Sequence, residues 1–204
     1  MIKSCVIGLS KIGQIHCNNL KKIKNTSLSF VYDKNSTLRK KTAKRFKCKT
    51  SNNFEEILKN KEIKLFIIAS PTSTHEYYLN KLIKYKKMIY CEKPISLDGS
   101  KLNSLVKKIK TNRIKICIGL NRRFSDAYTT MKKLIKSKKV KIIQIISRSS
   151  NANVKKSVRN GGLFMDKGFH FFDLACWFAN SFPSKIITIA NPLSTKEFLK
   201  NNDY

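Results

Sequence analysis

The stretch Cys5-Val6-Ile7-Gly8-Leu9-Ser10-Lys11-Ile12-Gly13 decides the fold of this chain. An apolar run typical of a buried strand ends at Gly8, and a segment with helical character begins at Lys11. In a G-x-G-x-x-G loop the first glycine makes the tight turn and the last lets the helix pack closely on the strand. Ser10 replaces the middle glycine, so its Cβ narrows the approach of a pyrophosphate, although its hydroxyl can donate to one. We therefore predict a dinucleotide-binding loop formed by Gly8, Ser10, Lys11, Ile12 and Gly13.

Apolar segments alternate with helix-like segments after this loop. The run Leu65-Phe66-Ile67-Ile68-Ala69 is continuously apolar, as expected for a strand buried on both faces of a sheet. Further strands are expected at residues 28–32, 88–91 and 114–118, and helices at 11–24, 35–46, 53–58, after 69 and at 100–111. This order predicts an α/β fold, a doubly wound parallel sheet of the Rossmann type over residues 1–120.

The pattern changes after residue 120. Residues 125–138 and 166–179 favour helix, whereas 140–147 and 186–190 favour strands. We interpret residues 121–204 as a partial α+β domain whose open sheet is truncated. An unfinished sheet exposes strand edges and an apolar face, which favours a completing chain or a homo-oligomer.

Asp33 lies at the predicted end of the second strand, 20 residues after Gly13. A carboxylate at this place accepts hydrogen bonds from adenosine ribose hydroxyls and repels a 2′-phosphate. The spacing therefore favours NAD as cofactor over NADP, although Lys34 and Arg39 nearby keep NADP open. The alternative is that Asp33 caps a turn or the helix that follows.

The charge of the chain limits the classes of partner. The formal net charge is +31, from 43 Lys+Arg against 12 Asp+Glu. The basic residues are spread along the chain, and the excess of Lys, Ile and Asn is what A+T-rich codons produce. We therefore expect no specific nucleic-acid partner, although such a surface attracts polyanions at low salt. No apolar run is long enough for a membrane span, so we expect no membrane partner.

Six cysteines occur, and none forms a C-x-x-C pair or another metal-ligand spacing. We therefore predict no metal site among them. Free thiols in and beside apolar runs are typical of a reducing compartment, so we expect a cytoplasmic protein.

Four later segments carry recognisable motifs: S-P-T-S-T-H at 70–75, C-E-K-P at 91–94, G-L-N-R-R-F at 119–124 and G-G-L-F-M-D-K-G-F-H-F-F-D at 161–173. The chain has only three histidines, and His16, His75 and His170 all lie within this pattern. In this combination the chain resembles the Gfo/Idh/MocA oxidoreductases, the family of glucose–fructose oxidoreductase and inositol 2-dehydrogenase. Within that family it is most similar to the inositol 2-dehydrogenases.

The resemblance implies roles for residues at these motifs. Contacts to the cofactor are implied for Ser70, Pro71, Thr72, His75, Glu92, Lys93 and Asn121. Catalytic roles are implied for Lys93, Asp166 and His170, and these three with Arg122 would bind the substrate. Asp173 would bind substrate or support the site. His16 and His75 also suit a structural role, and Asn121 and Arg122 also suit closing the junction between domains.

The implied chemistry is oxidation of a secondary alcohol, which sends a hydride to nicotinamide and the hydroxyl proton to a base. Histidine titrates near neutral pH, so His170 suits the base. Asp166, four residues earlier, would share a helix face with His170 and orient its imidazole or bind a substrate hydroxyl. Lys93 would donate to the reacting oxygen, and Pro94 biases Lys93 towards an extended backbone that aims it. A lone lysine is usually a solvated charge and a lone helical histidine a core residue; the motifs favour catalysis.

Members of the family are longer than this chain, which ends about one strand after the implied catalytic helix. We therefore expect a fragment, a truncated product or a half that a partner completes. Three functions stay open: an NAD(P)-dependent oxidoreductase acting on a cyclic polyol or sugar, a nucleotide-sugar 3-dehydrogenase, and a non-catalytic dinucleotide-binding remnant or regulator.

Overall fold

The computed structural model describes residues 1–137, 140, 142–146 and 168–187. The chain divides into two compact units, Met1–Gly119 and Leu120–Tyr204. The sequence pattern placed this division after residue 120.

Six parallel strands form one sheet in the first unit, in the order β3-β2-β1-β4-β5-β6. The strands are β1 (Ile2–Ile7), β2 (Thr26–Tyr32), β3 (Lys49–Thr50), β4 (Ile63–Ile68), β5 (Met88–Cys91) and β6 (Ile116–Ile118). Between them run α1 (Lys11–Lys22), α2 (Ser36–Phe46), α3 (Phe54–Lys59), α4 (His75–Lys84) and α5 (Gly99–Thr111). The predicted doubly wound sheet is confirmed. The sequence did not predict β3, because two residues are too few to show a periodicity.

The core lies on both faces of this sheet, because successive side chains of a strand point to opposite faces. In β4, Phe66 and Ile68 join one apolar cluster and Ile67 joins the other. The first cluster holds the buried faces of α3, α4 and α5, and the second those of α1 and α2. Burial on both faces explains why β4 is apolar without alternation.

Helix ends in the first unit follow two patterns. Asn35, Asn53 and Asp98 cap α2, α3 and α5 by accepting backbone N–H bonds, which confirms the predicted cap at Asn53. At the other end, left-handed residues follow three helices: Lys47 after α2, Lys86 after α4 and Arg113 after α5, with φ of 52°, 49° and 51°. Glycine usually occupies this position, because it has no Cβ to clash there.

The described part of the second unit contains a 3₁₀ turn at Asn121–Phe124, α6 (Asp126–Ser137) and α7 (Phe169–Ala179). The predicted strand at 140–147 is wrong for residues 140 and 142–146, which have no regular secondary structure. A strand needs a neighbour to accept its hydrogen bonds, and no described residue supplies one there. Among the helices that the structure describes, none is both long and apolar enough to cross a bilayer.

Candidate cofactor and catalytic site

Three loops follow the carboxyl ends of adjacent strands in the first unit. They begin at Gly8 after β1, at Ala69 after β4 and at Glu92 after β5. We call this side of the sheet the carboxyl edge. The strand order reverses at β1, which lies between β2 and β4, and ligands of doubly wound sheets bind at such a switch point.

The two glycines of the first loop are needed for close backbone packing. Gly8 has φ of +85°, and a Cβ added to it would lie 2.4 Å from the backbone nitrogen of Ser70. A Cβ added to Gly13 would lie 1.9 Å from the carbonyl oxygen of Gly8. The loop after β1 therefore packs against both its own helix and the loop after β4, as a dinucleotide-binding turn requires.

The start of α1 is open towards a ligand. Ser10 is the N-cap residue and makes no side-chain cap bond, and no acidic residue lies in the first turn. Ser10, Lys11 and Ile12 are exposed, while Gly13 is buried beneath them. The free N–H groups and the positive end of the helix dipole suit a phosphate here.

Asp33 lies directly after β2 and binds two backbone N–H groups. Its Oδ2 accepts from Leu9 N at 2.8 Å and its Oδ1 accepts from Asn35 N at 2.9 Å. The turn role that the sequence left open is therefore present. A carboxylate has about four acceptor positions, so two are still available to ribose hydroxyls. Arg39, the residue that kept NADP open, donates from Nη1 to the carbonyl of Asp33.

His75 links the loop after β4 to the loop after β5. Its side chain is buried, with Nδ1 lying 2.8 Å from the carbonyl oxygen of Pro94 and Nε2 lying 2.9 Å from that of Ser70. A neutral imidazole carries one N–H, so only the protonated ring can donate to both carbonyls at once. Each ring nitrogen lies within hydrogen-bond distance of a backbone carbonyl, and the His75 ring therefore sits between two loops of the carboxyl edge.

The remaining residues of the loop after β4 differ in exposure. Pro71 is exposed, Ser70 is half-buried and Thr72 is buried in a short 3₁₀ turn. Thr74 donates to Ser70 Oγ or to the carbonyl oxygen of Pro71, both at 2.7 Å. Ser70 and Pro71 therefore keep surface that a ligand can meet, whereas Thr72 does not.

The side chain of Glu92 is bound by His16 of α1. Its Oε1 lies 2.8 Å from His16 Nε2, and the His16 ring also packs edge-on against Tyr90 at 5.1 Å between centroids. Gly119 allows this arrangement, because a Cβ there would lie 2.9 Å from Glu92 Oε2 and 3.0 Å from the Tyr90 hydroxyl. Burial raises the pKa of Tyr90 to about 12, and the Glu92 charge adds to this effect.

Lys93 lies between two residues that the histidines hold. Glu92 before it is bound by His16, and Pro94 after it is bound by His75. Lys93 is half-buried, and its peptide bond to Pro94 is cis. The structure thus brings together the loops of Gly8, Ser70 and Lys93 within one unit.

The other predicted residues lie in the second unit. His170 is half-buried in the first turn of α7, and Asp166 lies outside the described residues. Asp173 forms an ion pair with Arg123, in which Arg123 Nε donates to Oδ2 at 2.8 Å. Asp173 therefore ties α7 to the turn at Asn121–Phe124.

Two more predicted residues lie in that turn. Asn121 is exposed, and the guanidinium of Arg122 stacks 4.2 Å from the centroid of the Phe171 ring. Sequence reasoning missed the contacts of His16 with Glu92 and of Arg123 with Asp173. Both pairs are far apart in sequence, and only the scarcity of acidic residues, each in need of a hydrogen-bond donor, could have suggested them.

Curated relatives match almost the whole chain. It is 27% identical over 203 residues to an inositol 2-dehydrogenase of Rhizobium meliloti, covering 98% of this chain and 61% of that protein. It is 28% identical to a myo-inositol 2-dehydrogenase of Thermotoga maritima, covering 97% and 61%. The chain thus spans about three fifths of the length of these relatives.

The fold is shared with a solved structure, that of a scyllo-inositol dehydrogenase from Lactobacillus casei with bound NAD(H) and scyllo-inositol. The TM-score is 0.75 at 24% identity, covering 87% of this chain and 56% of that one. A family model described as an oxidoreductase family with an NAD-binding Rossmann fold matches residues 2–121. The predicted NAD cofactor is in agreement with this model, and the glycine loop, Asp33 and the open start of α1 fit that cofactor. The chain belongs to the Gfo/Idh/MocA oxidoreductase family.

Proposed function

We propose that the chain acts in an NAD-dependent dehydrogenase that oxidises a secondary hydroxyl of a cyclic polyol, with inositol as the leading candidate. The observation that carries the proposal is the position of Lys93 at the carboxyl edge. It follows β5 in a loop whose flanking residues are held by His16 and His75. The loops of Gly8 and Ser70 follow the two strands next along the sheet.

In this proposal, NAD accepts the hydride, and the side chains of the chain handle charge and proton. Lys93 donates a hydrogen bond to the hydroxyl oxygen and stabilises the negative charge that develops as the proton leaves. His170 accepts that proton, and Asp166 orients the imidazole or binds a neighbouring hydroxyl. Arg122 contributes to substrate binding.

We propose the cofactor contacts of the first unit from two properties of its residues, which are their exposure and their remaining hydrogen-bonding positions. Ser10, Lys11 and Ile12 face the phosphates at the start of α1, and Asp33 accepts from the adenosine ribose. Ser70, Pro71 and Glu92 are proposed to contact the nicotinamide half of the cofactor, with Thr72 and His75 supporting the backbone of these contacts. Asn121, which belongs to the second unit, is proposed as a further cofactor contact.

The substrate class is supported by the relatives, which include inositol 2-dehydrogenases. We propose a small polyol or sugar as the reacting partner, and a completing chain or second copy to supply what the relatives carry beyond this length. All six cysteines are free, which supports a reducing, cytoplasmic location.

The test is NAD reduction, followed by absorbance, with myo-inositol, scyllo-inositol, an aldose and a nucleotide sugar. We expect turnover on an inositol, lowered by about 10²-fold or more in Lys93→Met and His170→Ala. Lys107→Met, on the exposed side of α5, is the matched control and should keep the full rate. Wild-type rates in both active-site variants would defeat the assignment of roles. Faster turnover of the nucleotide sugar than of the inositols would favour a nucleotide-sugar dehydrogenase instead. NAD binding without turnover of any of these substrates would favour a non-catalytic regulator or remnant.

A further inference from the structure

A strongly basic cavity lies at the opposite side of the first unit from the cofactor loops. It has a volume of about 520 Å³ and lies where β4, β5 and β6 begin. We call this side of the sheet the amino edge. Six cations line the cavity, and no acidic residue is among the described residues that line it: Lys61, Lys64, Lys86, Lys87, Arg113 and Lys115.

Two of these cations are held by unusual backbone. Lys86 follows α4 and Arg113 follows α5, both in the left-handed region where a glycine would be less strained. The Lys86 and Lys87 N–H groups close α4 by donating to Ile83 and Leu82 carbonyls, and Arg113 N–H donates to Lys110. These bonds satisfy some of the carbonyls that each helix end leaves without an intrahelical partner. Both residues line the cavity.

Lys87 is the buried member of the six cations, and the charge of Lys64 acts on it. Its side chain is almost completely buried, and its Nζ donates to the carbonyls of Asn60 at 2.8 Å and Ile63 at 2.9 Å. Burial lowers the pKa of Lys87, and the nearby charge of Lys64 lowers it further. An anion in the cavity would offset this repulsion.

We propose that the cavity binds an oligophosphate, an anion with about three linked phosphate groups, independently of the cofactor. The volume falls within the range of small-molecule sites. Lysines act as point charges and Arg113 as a planar fork, which together suit phosphate oxygens. A nucleic-acid strand fits less well, because stacking platforms use several aromatic rings and, among the described residues that line this cavity, Tyr85 alone is aromatic.

The experiment titrates inorganic tripolyphosphate into the full 204-residue chain by calorimetry, at near-physiological salt and with NAD saturating the cofactor site. The cavity variant is Lys86→Asn/Arg113→Asn, since asparagine tolerates the left-handed backbone. The matched control is Lys44→Gln/Lys47→Asn on and after α2, which removes the same charge and also alters one left-handed residue. Binding of one tripolyphosphate should weaken about tenfold or more in the cavity variant and less than about twofold in the control.

Equal weakening in the two variants would overturn the proposal, because net charge alone would then explain the binding. Several equivalent bound anions per chain, or no binding to the wild type, would overturn it too. If the cavity variant fails to fold, Lys64→Gln/Lys115→Gln tests the same cavity with ordinary backbone at both positions.

ATP, titrated in the same way, separates the two sources of an oligophosphate. Affinity equal to that of tripolyphosphate would support recognition of the phosphate chain alone. Binding of ATP together with no binding of tripolyphosphate would contradict the proposal.

Discussion

The two edges of the same sheet differ in how their polar and charged side chains are partnered. At the carboxyl edge, polar side chains bind one another and the backbone: Asp33 accepts two N–H groups, and His16 and His75 hold the residues that flank Lys93. At the amino edge, six cations line one cavity without an acidic residue among its described lining. The chain has a net charge of +31, and at the amino edge Glu62, which precedes β4, pairs with Lys3 of β1 outside the lining of that cavity.

The largest expected loss of stability comes from a substitution that disrupts the packing at the carboxyl edge. Gly13→Ala should lower the free energy of unfolding by about 3–5 kcal/mol or prevent folding, because its Cβ would meet the Gly8 carbonyl oxygen at 1.9 Å. Urea unfolding measures this loss. Gly99→Ala is the control, since nothing lies within 4 Å of its Cβ, and it should change stability by less than about 1 kcal/mol. A small loss in Gly13→Ala would show that the loop is looser than described.

The next largest losses of stability are expected from substitutions of His75 and His16. His75→Leu should lower the free energy of unfolding by about 2–3 kcal/mol, because two carbonyl oxygens of the carboxyl edge lose their partner. The affinity for NAD, measured by calorimetry, should also fall in this variant, because the loops after β4 and β5 are no longer linked. His16→Phe keeps a ring against Tyr90 and loses only the bond to Glu92, so its effect should be about 1 kcal/mol. Equal effects of the two substitutions would contradict this ranking.

The core between the two edges should make the chain sensitive to alkali. Burial raises the pKa of Cys17 from its ordinary 9.0 to about 12, chiefly by desolvation of the thiolate, with Cys48 adding to the rise. Between these pH values the unfolded chain binds fewer protons than the folded one, so stability is complete below pH 9 and falls as the pH approaches 12. Urea unfolding across this range checks the slope, and Cys17→Ala should reduce it. The exposed Cys117→Ala should leave it unchanged.

The smallest expected change in stability tests the left-handed backbone at Lys47, which follows α2. Lys47→Gly should raise the free energy of unfolding by about 0.5–1 kcal/mol, since Lys47 has φ of 52° and glycine is unstrained there. Thermal or urea unfolding measures the gain. Lys44→Gly, in the last turn of α2, should instead lose about 1 kcal/mol, because glycine weakens a helix interior. A loss in Lys47→Gly would mean that its side chain stabilises the fold in a way that outweighs the strain.

Local signals identified most of the first unit. The apolar run of β4 predicted its burial on two faces, and Asn53 predicted the start of α3, because both depend on neighbours in sequence. The strand expected at 140–147 was wrong at the residues described. An apolar, β-branched segment forms a strand only beside a hydrogen-bonding neighbour, and periodicity contains no information about that neighbour.

The sequence by itself determined most of the order of strands and helices in the first unit, the glycine positions of the cofactor loop and the family motifs, because each is a pattern of short range. Only the tertiary structure decided that His16 binds Glu92, that His75 joins two loops and that six cations meet in one cavity. These groups are separated along the chain, and the parallel pairing of the strands brings them within reach of one another.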